Sequence, residues 1–350
     1  MFGTYKEKDV TLLLKDITGL VEPLGTAERE ICIQNGTHYS EMLPLEEEPS
    51  VAYLNIYHDA LKRYSKITAA AVASVAEKIW TEKGANAVLV SLARAGTPVG
   101  ILIKHYVAQK YHINLPHYSI SIIRGRGIDH NAMQYILSQH NPTSIQFIDG
   151  WTGKGAIQRE LNQSMQAYPM VSAGLAVLSD PAHIAEKYGT RDDFLIANSC
   201  LNATVSGLLS RTFYRSDIIG SNDFHGAVFY HDLVSQDLTY QFINTIKQHF
   251  SQHLQPIDTP SVTTKSAIEE VKEICHTFKI HTINFVKPSI GETTRVLLRR
   301  MPWKILVHSL HDEEHLGHIY QLAKEKGIKV IEYPLENYRA CGLIQSIADS

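Results

Sequence analysis

The sequence holds only four cysteines, Cys32, Cys200, Cys275 and Cys341, and no two form a CxxC pair or stand at metal-ligand spacing. That argues against a disulfide framework or structural zinc site, and for a reducing compartment. Long apolar runs are also missing, since nothing approaches the roughly 18 apolar residues of a spanning helix. Residues 1–16 carry charge throughout, without the apolar core of a secretory leader. Neither charge sign dominates. A net charge of −3 excludes a wholesale nucleic-acid or membrane-surface binder and confines any basic site to a local patch. No internal repeat or low-complexity tract is present. What remains is ordinary globular composition, 44% hydrophobic and 20% charged, over 350 residues. That exceeds the roughly 100–200 residues of one core, so two domains are expected, in the cytoplasm.

A helix is expected from about Tyr53 to Lys83, after which strands, glycine turns and helices alternate. Residues 86–92, 117–123, 144–148 and 174–178 are β-branched or apolar runs, and helices are expected over 99–109, 131–139 and 156–167. This rhythm predicts βαβ units and a parallel sheet, whose ligands bind beyond the carboxyl ends of the strands. A Pro/Thr/Ser/Gln-rich stretch, 251–266, suggests a linker. A second α/β rhythm follows, with helices at 266–277, 292–301 and 313–326 and strands at 281–286, 304–308 and 328–333.

The unusual chemistry falls on the turns. Phe147-Ile148-Asp149-Gly150-Trp151-Thr152-Gly153-Lys154-Gly155 brings a carboxylate to a strand end and then opens a helix. Backbone amides in such a turn, with the positive helix end, form a concave anion site. Thr152, Gly153, Lys154 and Gly155 are the expected phosphate binders, and Asp149 the acceptor for ribose hydroxyls. A Walker A loop is excluded, because the glycine-to-lysine spacing is one short and Gly155 replaces the Ser/Thr. Upstream, Arg94 offers paired donors for phosphate oxygens and Gly96 a close backbone approach. Between the two lies Ile123-Arg124-Gly125-Arg126-Gly127, a cationic segment able to close over a leaving group.

The 149–155 turn resembles the PRPP loop of type I phosphoribosyltransferases. Ile148 stands in place of the first carboxylate, Lys154 of the second loop glycine and Gly155 of the final threonine. More broadly, residues 1 to about 250 resemble the phosphoribosyltransferase-like proteins of bacterial tellurium-resistance (Ter) stress neighbourhoods. The strings that carry this are HYSEMLP (38–44), VLVSLARAGTPVG (88–100), QFIDGWTGKGAI (146–157) and GTRDDFLIANSCLNATVSGLLSRTF (189–213). The resemblance implies PRPP-dependent phosphoribosyl transfer to or from a nucleobase-like acceptor, with Mg²⁺. Arg124, Arg126 and Asp149 would be catalytic, and Arg94, Gly96 and Thr152–Gly155 would hold PRPP. The same family is also labelled a predicted cysteine protease, StiP. That reading needs Cys200 as nucleophile beside His225 or His38; a small buried cysteine is the plainer account of Cys200.

Near the C-terminus, Lys287, Arg295, Arg299, Arg300 and Lys304 face a single acidic residue, Glu292. Arg295 and Arg299 share a helix face. This stretch, with Tyr338-Arg339-Ala340-Cys341-Gly342, resembles the Pelota and kink-turn-binding ribosomal protein family, in which a Gly-x-Asn-Glu-Thr-Thr helix start contacts RNA. Thr293, Thr294, Arg295 and Arg299 are thereby expected to bind RNA. The expected fold is α/β: a type I phosphoribosyltransferase-like parallel sheet over 1–255 and a small Pelota-like α/β domain over 266–350. The expected partners are PRPP, a small acceptor and RNA, with no membrane and a homodimer left open. A non-catalytic RNA-binding ligand sensor and a thiol hydrolase are the competing readings.

Overall fold

The computed structural model describes residues 2–251, 254, 257 and 263–344. Buried apolar runs become the central strands of a sheet, because their side chains are covered on both faces. In chain order the elements are β1 (Thr11–Leu12), α1 (Thr26–Gln34), α2 (Val51–Lys83), β2 (Val88–Ala93), α3 (Gly96–Tyr111), β3 (His117–Ile123), β4 (Gly127–Ile128), α4 (His130–Leu137), β5 (Ile145–Ile148), α5 (Ala156–Ser164), β6 (Leu175–Ser179), β7 (Lys187–Thr190) and α6 (Thr239–Lys247). The sheet runs β1-β3-β2-β5-β6-β7, parallel along this path, with β4 folded back on β3.

One face of the sheet packs on α2, α3 and α6 and the other on α4 and α5. The Ala-rich middle of α2 lets that helix lie close. Gly189 of β7 is pressed against Ala71, where a Cβ would sit 2.6 Å from the alanine methyl.

A second sheet follows α7 (Ala267–Thr277), formed by β8 (Val286–Pro288), β9 (Pro302–Val307), β10 (Lys329–Glu332) and β11 (Ala340–Ile344) in the order β8-β11-β9-β10. Helices α8 (Ile290–Arg299) and α9 (Glu313–Glu325) flank it. The sequence reading missed β11, an inner strand of this sheet, and placed a strand at 281–286 where a 3₁₀ turn leads into β8. Most of the 251–266 stretch read as a linker lies outside the described residues.

The two sheets share a core. Ile290, Leu297 and Leu298 of α8 belong to the same buried cluster as Ala197, Leu201 and Val205, which follow β7 of the first sheet. Asp193 accepts from the amides of Ile290 (3.1 Å) and Arg339 (3.0 Å), and Arg339 reaches Asp192 at 2.8 Å. The C-terminal unit therefore sits on the carboxyl edge of the parallel sheet, where the topology places a ligand.

Candidate functional site

A cavity of about 860 Å³ opens where the two sheets meet, lined by Ala95, Arg124, Gly125, Asp149 and the run Trp151–Gln158 from one side. Lys287, Glu292, Arg295 and Arg300 line it from the other, and Arg29, His38, Tyr39 and Arg211 complete the rim. Backbone from all three predicted turns reaches this rim, though their side chains fare differently.

The 149–155 turn presents main chain. Gly155 takes a positive φ of 76°, and a Cβ there would lie 2.7 Å from Ile184, so only glycine turns the chain into α5 here. Helix α5 has no side-chain cap, and among the described residues the amides of Gly153, Lys154, Gly155 and Ala156 make no hydrogen bond within the protein. They face the cavity with the positive end of the helix behind them.

The expected side-chain donors of this turn are spent elsewhere. Thr152 Oγ1 donates to Asp180 at 2.5 Å, a buried carboxylate that also holds the amides of Ile184 and Ala185. Lys154 Nζ turns to the carbonyls of Ile283 and Val286. Burial, with repulsion from Lys287 and Arg124, pushes Lys154 down to about 7. Its expected role as a direct phosphate ligand is thus corrected to that of a strut between the turn and the C-terminal unit.

Asp149 remains at the cavity floor. Burial pushes its carboxyl up to about 7, against the opposing pull of the Gly150 amide at 2.8 Å and of Arg295. A carboxyl balanced near neutrality is suited to proton transfer.

Arg94 and Gly96, expected to hold pyrophosphate, do not face the cavity. Arg94 pairs with Glu46 at 3.3 Å and donates to Leu209 O (2.9 Å) and Asn202 Oδ1 (2.8 Å). Gly96 serves packing, since a Cβ would meet Ile148 O at 2.4 Å. Arg126 is exposed and paired with Glu41. Arg124 does line the cavity; its guanidinium lies 5.2 Å from the Tyr39 ring centre, and no acidic partner is found for it among the described residues.

The C-terminal unit departs most from expectation. Thr293 and Thr294 are fully buried, the first bonded to Lys287 O and the second to Ile290 O and His318. Arg299 is turned into the first unit, donating to Cys200 O at 2.9 Å and to Asn202. Of these three expected RNA contacts, Thr293 and Thr294 are buried and Arg299 is engaged by internal partners. Arg295 lines the cavity instead, paired with Glu292 at 3.1 Å and 5.8 Å from the Trp151 ring centre.

Sequence reasoning missed Arg29, Arg211 and the ring of Trp151, because these converge only through tertiary packing. Together Arg29, Arg124, Lys154, Arg211, Lys287, Arg295 and Arg300 outnumber the carboxylates Asp149 and Glu292 around one space. Their mutual repulsion is visible in Lys287, which burial and then Arg124, Arg300 and Arg295 hold below its usual range despite Glu292.

Among the described residues no thiol lines the cavity. Cys200 is fully buried and pushed up to about 12 by desolvation. His225 Nδ1 is hydrogen-bonded to Ser121, and the ring nitrogens of His38 to Ser40 and Arg124 O; among the described residues neither histidine is hydrogen-bonded to Cys200. Among the described residues no helix is long and apolar enough to cross a membrane, and no group of three His, Cys, Asp or Glu side chains gathers as a metal site.

Residues 3–247 match the family described as tellurite-like stress resistance cysteine protease StiP, and residues 265–346 match the PELOTA RNA-binding domain. A relative named cysteine protease StiP, from Acinetobacter baylyi, is 36% identical across 99% of this chain and 94% of its own length. Among solved structures, a Helicobacter pylori xanthine-guanine-hypoxanthine phosphoribosyltransferase is 16% identical over 33% of this chain and 72% of that one, with a TM-score of 0.23. A Bacillus anthracis hypoxanthine-guanine phosphoribosyltransferase is 11% identical over 41% and 77%, also at 0.23. Likenesses that slight carry no argument about activity. The expectation of PRPP-dependent transfer is overturned, because the family and the full-length relative bear the name of a hydrolase. The chain belongs to the StiP family and carries a Pelota-type domain at its C-terminus.

Proposed function

We propose that this StiP-family chain is a hydrolase that holds an anionic substrate in the cavity between its two sheets, with Asp149 moving the proton. One observation carries the reading: open amides at the start of α5, Arg124 without an acidic partner among the described residues, and a carboxyl poised near neutrality face one space. Cations and oriented amides bind phosphate or carboxylate groups. Asp149, when ionised, accepts a proton from the attacking water and returns it to the leaving group. Were Mg²⁺ to take part, Asp149 and Glu292 are the cavity carboxylates that would hold it, and it would supply positive charge to the anion.

The relatives' name favours a second route to hydrolysis, through a thiol. The burial and raised pKa of Cys200 weigh against it in this docked arrangement. One experiment separates the two. Product release from a panel of acidic peptides, phosphopeptides and small phosphate esters is measured for the intact chain, Asp149→Asn and Cys200→Ser. Loss of turnover in Asp149→Asn with retention in Cys200→Ser is the expected result. Retention in Asp149→Asn with loss in Cys200→Ser, and labelling of Cys200 by a thiol probe at neutral pH, would replace water by the thiol.

A further inference from the structure

We infer that the Pelota-type domain acts in cis as the second wall of the substrate cavity, with Lys287 and Arg295 as anion-binding residues. The inference rests on the reading of the cavity as the substrate site. It assigns to this domain a task other than the RNA contact its family is described by.

The geometry points this way in two respects. First, the face of α8 that an RNA would need is occupied. Ser199 and Trp151 lie 3.5 and 3.6 Å from where a Cβ on Gly291 would stand, and Thr293 and Thr294 are sealed by internal hydrogen bonds. Docking also engages the guanidinium of Arg299, which is held on Cys200 O and Asn202.

Second, the domain both shapes and charges the cavity. The phosphate-type turn is fixed from the C-terminal side by two contacts, Lys154 Nζ to Val286 O at 2.9 Å and Tyr338 Oη to Gly153 O at 2.8 Å. Beside that turn, the ammonium of Lys287 makes no hydrogen bond or ion pair among the described residues, and Arg295 has Glu292 alone. Lys287 thus faces Arg124 across the space, one unpaired cation from each unit. Like charges held together in a partly buried site stay unfavourable until an anion bridges them. A ligand long enough to touch both walls gains contacts that a single small anion does not.

The probes are therefore inorganic phosphate and tripolyphosphate, titrated calorimetrically into the full chain at neutral pH and low salt. Tripolyphosphate should bind at least tenfold tighter than phosphate. Arg124→Ala in one wall, and Lys287→Gln or Arg295→Ala in the other, should each weaken it by tenfold or more, with thermal melts showing that the variants stay folded. If only Arg124→Ala weakens binding, the in-cis wall is wrong while the cavity reading stands. If none of the three does, both fall. A fluorescent structured RNA supplies the remaining outcome. RNA held by the full chain at saturating tripolyphosphate, and lost in Thr293→Ala, would show the α8 face free and overturn the inference.

Discussion

Two turns of this molecule look alike in sequence and end differently. Arg94-Ala95-Gly96 and Asp149–Gly155 each follow a buried strand, each carries a cation and glycine, and each opens a helix at the same rim. The second leaves its amides open to a cavity, while the first is filled by the protein: Glu46, Leu209 and Asn202 satisfy Arg94, and Ile148 presses on Gly96. A local motif fixes what a turn can offer. Whether the offer is taken up by a ligand depends on segments that arrive from far along the chain.

The sharpest way to break this comparison is a methyl group in each turn. Gly96→Ala must displace the Ile148 carbonyl, and should destabilise the fold by about 3 kcal/mol or prevent its accumulation. Gly153→Ala meets nothing within 4 Å and should stay within about 0.5 kcal/mol. Thermal or urea unfolding of the two variants reads the difference.

The two arginines should divide in the same manner. Arg94→Ala leaves Glu46 buried without its partner and should cost about 3 kcal/mol of stability, while the folded fraction still binds tripolyphosphate. Arg124→Ala should do the reverse, changing stability little and weakening tripolyphosphate about tenfold, which is about 1.4 kcal/mol.

A smaller effect comes from pH. Asp149 is pushed up to about 7 and Lys154 down to about 7, so as pH falls through that value the first becomes neutral and the second charged. A bound anion favours protonated Asp149 and charged Lys154, so binding takes up protons, and affinity should rise several-fold from pH 8 to 6. Turnover at saturating substrate should move the other way, because Asp149 must be ionised to act as a base. Asp149→Asn should flatten much of the binding profile, which calorimetry over that range reads directly.

Much of the first sheet was legible in the sequence. The expected strand at 117–123 coincides with β3, and those at 86–92, 144–148 and 174–178 fall within one or two residues of β2, β5 and β6. Their doubly buried, β-branched runs leave few alternatives. Strand β11 was harder, since Ala-Cys-Gly-Leu-Ile lacks alternation and owes its place to neighbours on both sides.

Of the site, Asp149 and Arg124 were marked by residue type and position, and the structure brings them to one cavity, where Arg295, expected to bind RNA, joins them. Arg94, Thr152, Thr293, Thr294 and Arg299 carried the same marks and are consumed by internal partners. Nothing within a turn reveals that Asp180 lies under Thr152, or that Asn202 and Cys200 O wait for Arg299. Asp180 follows β6, and Cys200 and Asn202 lie in the segment after β7 on which the C-terminal domain docks, so their placement is a tertiary outcome.

The most direct measurement is anomalous diffraction from a crystal soaked in tungstate, a heavy tetrahedral anion. A peak within contact of the Gly153–Ala156 amides, with Lys287 or Arg295 on its far side, is the predicted result. A peak seated instead on the Arg94–Gly96 turn, or no peak between the two sheets, would contradict the account.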